Sequence, residues 1–205
     1  MNLANEMSIV ASISNNVLKG PTDSTETTFS ELWKKHRCVI IFFRRWGCPY
    51  CRLNAERISA IQPVLAENNV KLIGVGLEQL GKSDFIKGMF FEGDVFVDEG
   101  KKTYDALDFK TMSFPEVFQA CLSVASHIGP KSGSVWECMR LGGNMSGDRY
   151  QLGGCLVVEA GGGDKPLLHY IQPDPLDHVD NAEILRVLGI KGEATVSTPK
   201  NKKIQ

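Results

Sequence analysis

No stretch of the 205 residues approaches the ~20 consecutive apolar positions that a helix needs to cross a bilayer. The first residues, MNLANE, lack both a basic start and an apolar run, so no secretory signal is expected. Charge of one sign is also missing. With a net charge of -1, neither nucleic acid nor an acidic membrane is expected as the main partner. No GxGxxG stands at a strand–helix junction, so no tightly bound nucleotide cofactor is expected. Histidine is sparse: His36, His127, His169 and His178 lack metal-ligand spacing, which leaves them structural or solvent-facing and predicts no metal site. There is no internal repeat.

What is present reads as an ordinary cytosolic globular chain. The mass of 22.6 kDa suits one well-buried core. Apolar residues make up 42% and charged residues 23%, the balance of a soluble domain. A single domain is expected over residues 1–192, followed by a polar, disordered tail over 193–205. In a reducing compartment the six cysteines are expected as free or functional thiols, not a disulfide framework. The Asn144-Met145-Ser146 sequon is expected to be inert without a secretory route.

Along the chain, residues 8–19 read as a short edge strand, with a turn at Pro21-Thr22-Asp23-Ser24. Thr28 and Glu31 have the spacing of a capping box for a short helix. Residues 38–43 (CVIIFF) are apolar throughout, as a buried central strand tends to be. Cys51, Ala55, Ile58, Ile61 and Leu65 then recur at helical spacing, with Pro63 expected to kink or end the helix. Residues 70–75 make the next strand and complete a β-α-β unit; a short helix near 82–87 and a strand at 95–97 follow.

Residues 103–128 read as mostly helical, with Pro115 in a first turn and Phe114, Val117, Phe118, Cys121, Leu122 and Ala125 on one face. The glycine- and serine-rich stretch 129–151 reads as an extended loop. Strands at 155–158 and 167–171, joined through 160–164 (AGGGD), form a hairpin, and Gly189 ends a helix over 182–188. The order β-α-β, insertion, β-β-α is that of the thioredoxin-like α/β fold: a central mixed sheet flanked by helices.

Cys48-Pro49-Tyr50-Cys51 falls where the buried strand passes into that fold's first long helix. A helix start lowers a thiol's pKa from ~8.5 to roughly 3.5–7.5, and the spacing lets two sulfurs close a disulfide. Cys48, at the cap, has the more open position and reads as nucleophile; Cys51, on the inward stripe, reads as resolving thiol. Arg44, Arg45 and Arg52 lie close enough in sequence to add positive potential. A lone CxxC is also half of a zinc site, but a second CxxC or a paired His set is missing. Haem attachment requires His where Arg52 stands. Cys38, Cys121 and Cys155 read as core, and Cys138 as a loop thiol that can be accessory. The Gly142-Gly143 and Gly153-Gly154 pairs read as turns or close backbone approaches.

Residues 44–52 (RRWGCPYCR) resemble the active-site segment of the peroxiredoxin-like 2 family. Residues 70–76 (VKLIGVG), 143–154 (GNMSGDRYQLGG) and 162–171 (GGDKPLLHYI), leading to 184–190 (ILRVLGI), are most similar to its prostamide/prostaglandin F synthase branch. The similarity runs from about residue 10 to about residue 192. It implies a cytosolic thioredoxin-fold reductase that converts the lipid endoperoxides prostaglandin H2 and prostamide H2 into F2α products. Electrons would come from NADPH, as an indirect donor, through a thioredoxin-type partner, and the redox cysteines map onto Cys48 and Cys51. Two departures stand out. Peroxiredoxins carry a Thr three residues before the reactive Cys, where this chain has Arg45. Thioredoxins carry a cis-proline where this chain has Leu152-Gly153-Gly154. The competing readings are a general thiol-disulfide reductase or alkyl-hydroperoxide peroxidase, and a redox-sensing adaptor without turnover. An apolar substrate groove is expected around residues 114–141.

Overall fold

The computed structural model describes residues 8–22, 24–117, 119, 140–144 and 146–191. Among them a seven-stranded mixed sheet forms from β1 (Val17–Lys19), β2 (Glu26–Thr28), β3 (Arg37–Phe42), β4 (Val70–Gly76), β5 (Asp94–Val97), β6 (Gly154–Val158) and β7 (Leu168–Ile171). The strand order is β2-β1-β5-β4-β3-β6-β7. β3 lies inside the sheet, parallel to β4 and antiparallel to β6.

Helices cover both faces: α1 (Ile9–Ile13), α2 (Phe29–Trp33), α3 (Pro49–Ser59), α4 (Gln62–Glu67), α5 (Lys82–Lys87), α6 (Lys102–Ala106) and α7 (Asn181–Val187). That double coverage explains the uninterrupted apolar run. Val39, Ile41 and Phe43 join the core under α3, α5 and α7, while Cys38, Ile40 and Phe42 join the core under α1, α2 and α6. Full burial of one such aliphatic side chain is worth ~1.5–3 kcal/mol, so neither face can turn to water without a large loss. The expected thioredoxin-like order is present: the parallel β3–β4 pair with α3 and α4 between them, then an insertion, then the antiparallel β6–β7 hairpin and α7.

Several expectations need correction. Residues 8–19 are not one edge strand. Val10 and Ile13 are three apart, and both are buried from a helical turn. The strand is only Val17–Lys19, and it is interior because β2, unforeseen, pairs outside it. Thr28 does cap α2 by accepting from the Glu31 N–H, whereas the Glu31 carboxylate pairs with Lys34. The predicted helix over 51–65 is two helices, with Pro63 in the first turn of the second.

The helical reading of 103–128 is interrupted: one helix stops at Ala106, Asp108 takes φ 53° and Thr111 bridges to Gln151, before helix resumes at 114–117 with Pro115 in its first turn, as expected. Phe114 is 71% exposed instead of facing a core. Phe118, residues 120–139, with Cys121 and Cys138, and the tail 192–205 lie outside the described residues, as does most of the expected groove. The glycine-rich hairpin is as expected, with Gly161, Gly162 and Gly163 all at positive φ. None of the described helices is long and apolar enough to cross a membrane.

Candidate active site

β3 ends at Phe42, and the next six residues carry the chain to the N-cap of α3, which is Cys48 itself (φ −79°, ψ 122°). Pro49 occupies the first turn, where its missing N–H is not needed. This connection is pinned from several sides. The Trp46 indole donates to Glu78 O at 2.7 Å, and its ring packs on Phe43 and Phe85. The ring lies so close to β4 that a Cβ on Gly76 would stand 2.1 Å from it. The Tyr104 hydroxyl reaches Phe43 O at 2.8 Å and Val75 O at 3.0 Å, tying the ends of β3 and β4 together. Arg52, buried, donates to Trp46 O and Leu141 O and lies over the Phe90 ring.

Both thiols are free, and they hydrogen-bond each other. Of the three nearby arginines, one faces them. Arg44 Nη2 donates to Cys48 Sγ at 3.0 Å. Arg45 turns away to Ser146 O, and Arg52 serves the backbone as described. The Cys51 thiol's hydrogen bond, then the Arg44 charge, hold Cys48 well below the ordinary thiol range despite burial that opposes them. The same hydrogen bond, together with burial, pushes Cys51 well above it. The pair is therefore polarised: a stabilised thiolate at Cys48 and a protonated donor at Cys51. Burial works against the Arg44 charge, but the two sulfurs outweigh it. Burial alone lifts Cys155, and it lifts Cys38 to about 12, as expected of core thiols.

Cys48 is not the open cysteine that its cap position implied. Both residues are 2% exposed. The cover is the 143–154 segment: Asn144 N–H donates to Gly47 O at 2.9 Å, and a Cβ on Gly143 would stand 2.7 Å from both Gly47 O and Pro49 Cγ. Such closeness is what the second residue of the Gly142-Gly143 pair provides. Gly153 does the same one strand over, where a Cβ would stand 1.8 Å from Phe42 O.

A small, partly open cavity of about 20 Å³ reaches Cys51 between β3, β7 and the segment leading to α7; Arg44, Asn54, Tyr170, Gln172 and His178 line it. His178 is thus neither simply structural nor solvent-facing, as its isolation in the sequence suggests. It lies near both sulfur chemistry and Arg44, and burial lowers its pKa to about 4. No sequence signal marks it, because it is brought to Cys51 by the β6–β7 hairpin and not by spacing. Among the described residues no cluster of His, Cys, Asp or Glu could hold a metal ion. No cis peptide occurs among them either, Leu152-Gly153-Gly154 included.

Comparison with known proteins places the chain in a family. The chain matches the AhpC/TSA antioxidant enzyme family over residues 57–174. It is similar in fold to PrxQ of Xylella fastidiosa, with a TM-score of 0.57 at 12% identity over 87% of this chain and 89% of that one. Peroxidoxin BcpB of Mycobacterium tuberculosis gives 0.58 at 14%, over 89% and 95%. In sequence it is 38% identical to the prostamide/prostaglandin F synthase of Homo sapiens over 184 residues, 89% of this chain and 90% of that protein. The Danio rerio protein of the same name is 36% identical over 182 residues, 88% of each. Matched by the family over more than half its length and by these relatives over nearly all of it, the chain belongs to the AhpC/TSA antioxidant enzyme family, among the relatives of the prostamide/prostaglandin F synthases.

Proposed function

We propose that this chain reduces the O–O bond of prostaglandin H2 and prostamide H2 to give the F2α products, with Cys48 as nucleophile and Cys51 as resolving thiol. The observation that carries this reading is the polarised pair itself, with Arg44 Nη2 3.0 Å from Cys48 Sγ and the Cys51 thiol donating to the same sulfur. The Cys48 thiolate attacks one peroxide oxygen, a S–O bond forms, and the weak O–O bond breaks. The freed oxygen takes a proton and becomes the first hydroxyl. Cys51 then attacks the Cys48 sulfur; the S–S bond forms, the S–O bond breaks, and the second oxygen leaves to become the other hydroxyl. The substrate gains two electrons and the dithiol becomes a disulfide. A thioredoxin-type dithiol in the cytosol returns it to the reduced state, with NADPH upstream and no cofactor held on this chain.

The test is turnover of prostaglandin H2 with thioredoxin, thioredoxin reductase and NADPH, set against cumene hydroperoxide and insulin disulfide. Wild type turns over prostaglandin H2 fastest; Cys48→Ser does not turn over; Cys51→Ser stops after one oxidation of Cys48. An active Cys48→Ser enzyme, or insulin as the preferred substrate, refutes the reading.

A further inference from the structure

Three observations around the cavity beside Cys51 bear on one question: what it is built to hold. The first is its size. About 20 Å³ is room for one oxygen-sized group and little more. The second is the state of the His178 ring, which a chain of hydrogen bonds fixes. Gly153 N–H is a donor, so the Gln172 atom that meets it at 3.2 Å must be the amide oxygen. The Gln172 amide nitrogen therefore points the other way, to Asp177 O at 2.8 Å and to His178 Nδ1 at 3.3 Å. An amide nitrogen only donates, so Nδ1 accepts, and the proton of the neutral ring sits on Nε2. The third is what that proton meets. His178 Nε2 and Arg44 Nε are both buried, and neither has a hydrogen-bond partner among the described residues. Buried donors are rarely left without a partner unless something else fills the role.

We infer that this cavity is an oxyanion site, in which His178 Nε2–H and Arg44 Nε–H receive the peroxide oxygen that departs when Cys48 attacks its neighbour. The inference rests on the reading of Cys48 and Cys51 given above. The cavity touches Cys51, not Cys48, and this suits a leaving oxygen. The attacked oxygen is bound to Cys48, while its former partner, one bond length further on, carries the negative charge toward Cys51. There the Cys51 thiol gives up its proton to the oxyanion. One transfer yields the first hydroxyl and the Cys51 thiolate that closes the disulfide. His178 keeps its own proton throughout and acts by hydrogen bonding alone. The charges that act on its ring are those of Cys48, Asp177, Arg57 and Arg44.

The role separates cleanly from thiolate activation. Oxidation of Cys48 by prostaglandin H2 expels an oxyanion, whereas alkylation of the same sulfur by iodoacetamide expels iodide and needs no such site. Both rates are measured in single turnover by mass spectrometry of the Cys48 peptide, in wild type, His178→Phe and His178→Gln. Loss of one oxyanion donor slows a reaction by ~10²–10³-fold. The expected result is a fall of about that size in the oxidation rate of His178→Phe, with alkylation unchanged within a factor of ~2 and most of the oxidation rate recovered in His178→Gln, which keeps a donor. Parallel losses in both reactions, or no loss in oxidation, overturn the inference and leave the Cys48–Cys51 cycle standing. A wild-type Cys48 that is alkylated but never oxidised refutes the cycle itself, and the inference with it.

Discussion

Replacing Arg44 with Met removes the guanidinium that stands 3.0 Å from Cys48 Sγ while keeping a side chain of similar length. The bare Coulomb attraction at that distance is about 5 kcal/mol for an effective dielectric near 20. Much of it is offset, because the same burial that strengthens the attraction also strips water from both ions. A charge-assisted hydrogen bond of this kind leaves a net ~1.5–3 kcal/mol in favour of the thiolate, so its loss raises the Cys48 pKa. Cys51→Ala should raise the pKa as well, because the Cys51 thiol's hydrogen bond also favours the thiolate. The assay is the pH dependence of iodoacetamide alkylation at Cys48, read on the isolated peptide, with thermal melts confirming that each variant folds. A midpoint that moves less than ~0.3 unit in a folded Arg44→Met protein would refute the electrostatic account of this pair.

Gly153→Ala pushes a methyl to within 1.8 Å of a backbone carbonyl in β3, where no side chain can swing aside. It should cost upwards of ~2 kcal/mol, seen as a lower urea midpoint; wild-type stability would show that β3 and β6 have more play than their spacing allows. His178 titrates at about 4 in the fold against an ordinary histidine value of 6.5, so between those values the unfolded chain binds the extra proton. Stability is therefore full above pH ~6.5 and falls on acidification toward ~4, by no more than about 3 kcal/mol for this group. The check is the difference between wild type and His178→Gln in urea melts across that window: the two curves should converge as pH falls, and parallel curves would contradict a neutral buried ring.

What can be read from the sequence is whatever lies close in the chain. The apolar run at 38–43, the CxxC that follows it and the stripe from Cys51 to Leu65 give a strand, a cap and an inward helical face without any long-range information; the strand and the cap stand at their expected places, and two successive helices carry the stripe. Errors begin where local pattern and tertiary placement part. Val10 and Ile13 have helical spacing, but the apolar residues from 9 to 18 are too few for the pattern to show where a one-turn helix gives way to β1; packing under the sheet decides. Cys48 sits at a helix start, ordinarily an open place, but residues about a hundred positions later fold over it. His178 and Gln172 carry no motif. They reach the sulfurs because Gly154 pairs with Ile171 across the hairpin, a register no spacing rule foretells.

The departure at position 45 takes on a different sense once the side chains are placed. The missing Thr would have set a hydroxyl near the substrate oxygens, yet Arg45 does not replace it, since its guanidinium goes to Ser146 O. The neighbouring Arg44, which lines the cavity, carries the electrostatics, with Nη2 on the Cys48 sulfur and Nε buried without a partner among the described residues. One rigid fork therefore fixes the distance between thiolate and cavity, which a flexible lysine could not do. A thiolate in so dry a setting gains reactivity only if the charge it hands to oxygen is also met by a donor. In the oxyanion site inferred above, that donor is a ring whose proton is held in place through Gln172 and the Gly153 backbone. Substitution at Gln172 should therefore disturb oxygen chemistry at Cys48 without touching either sulfur.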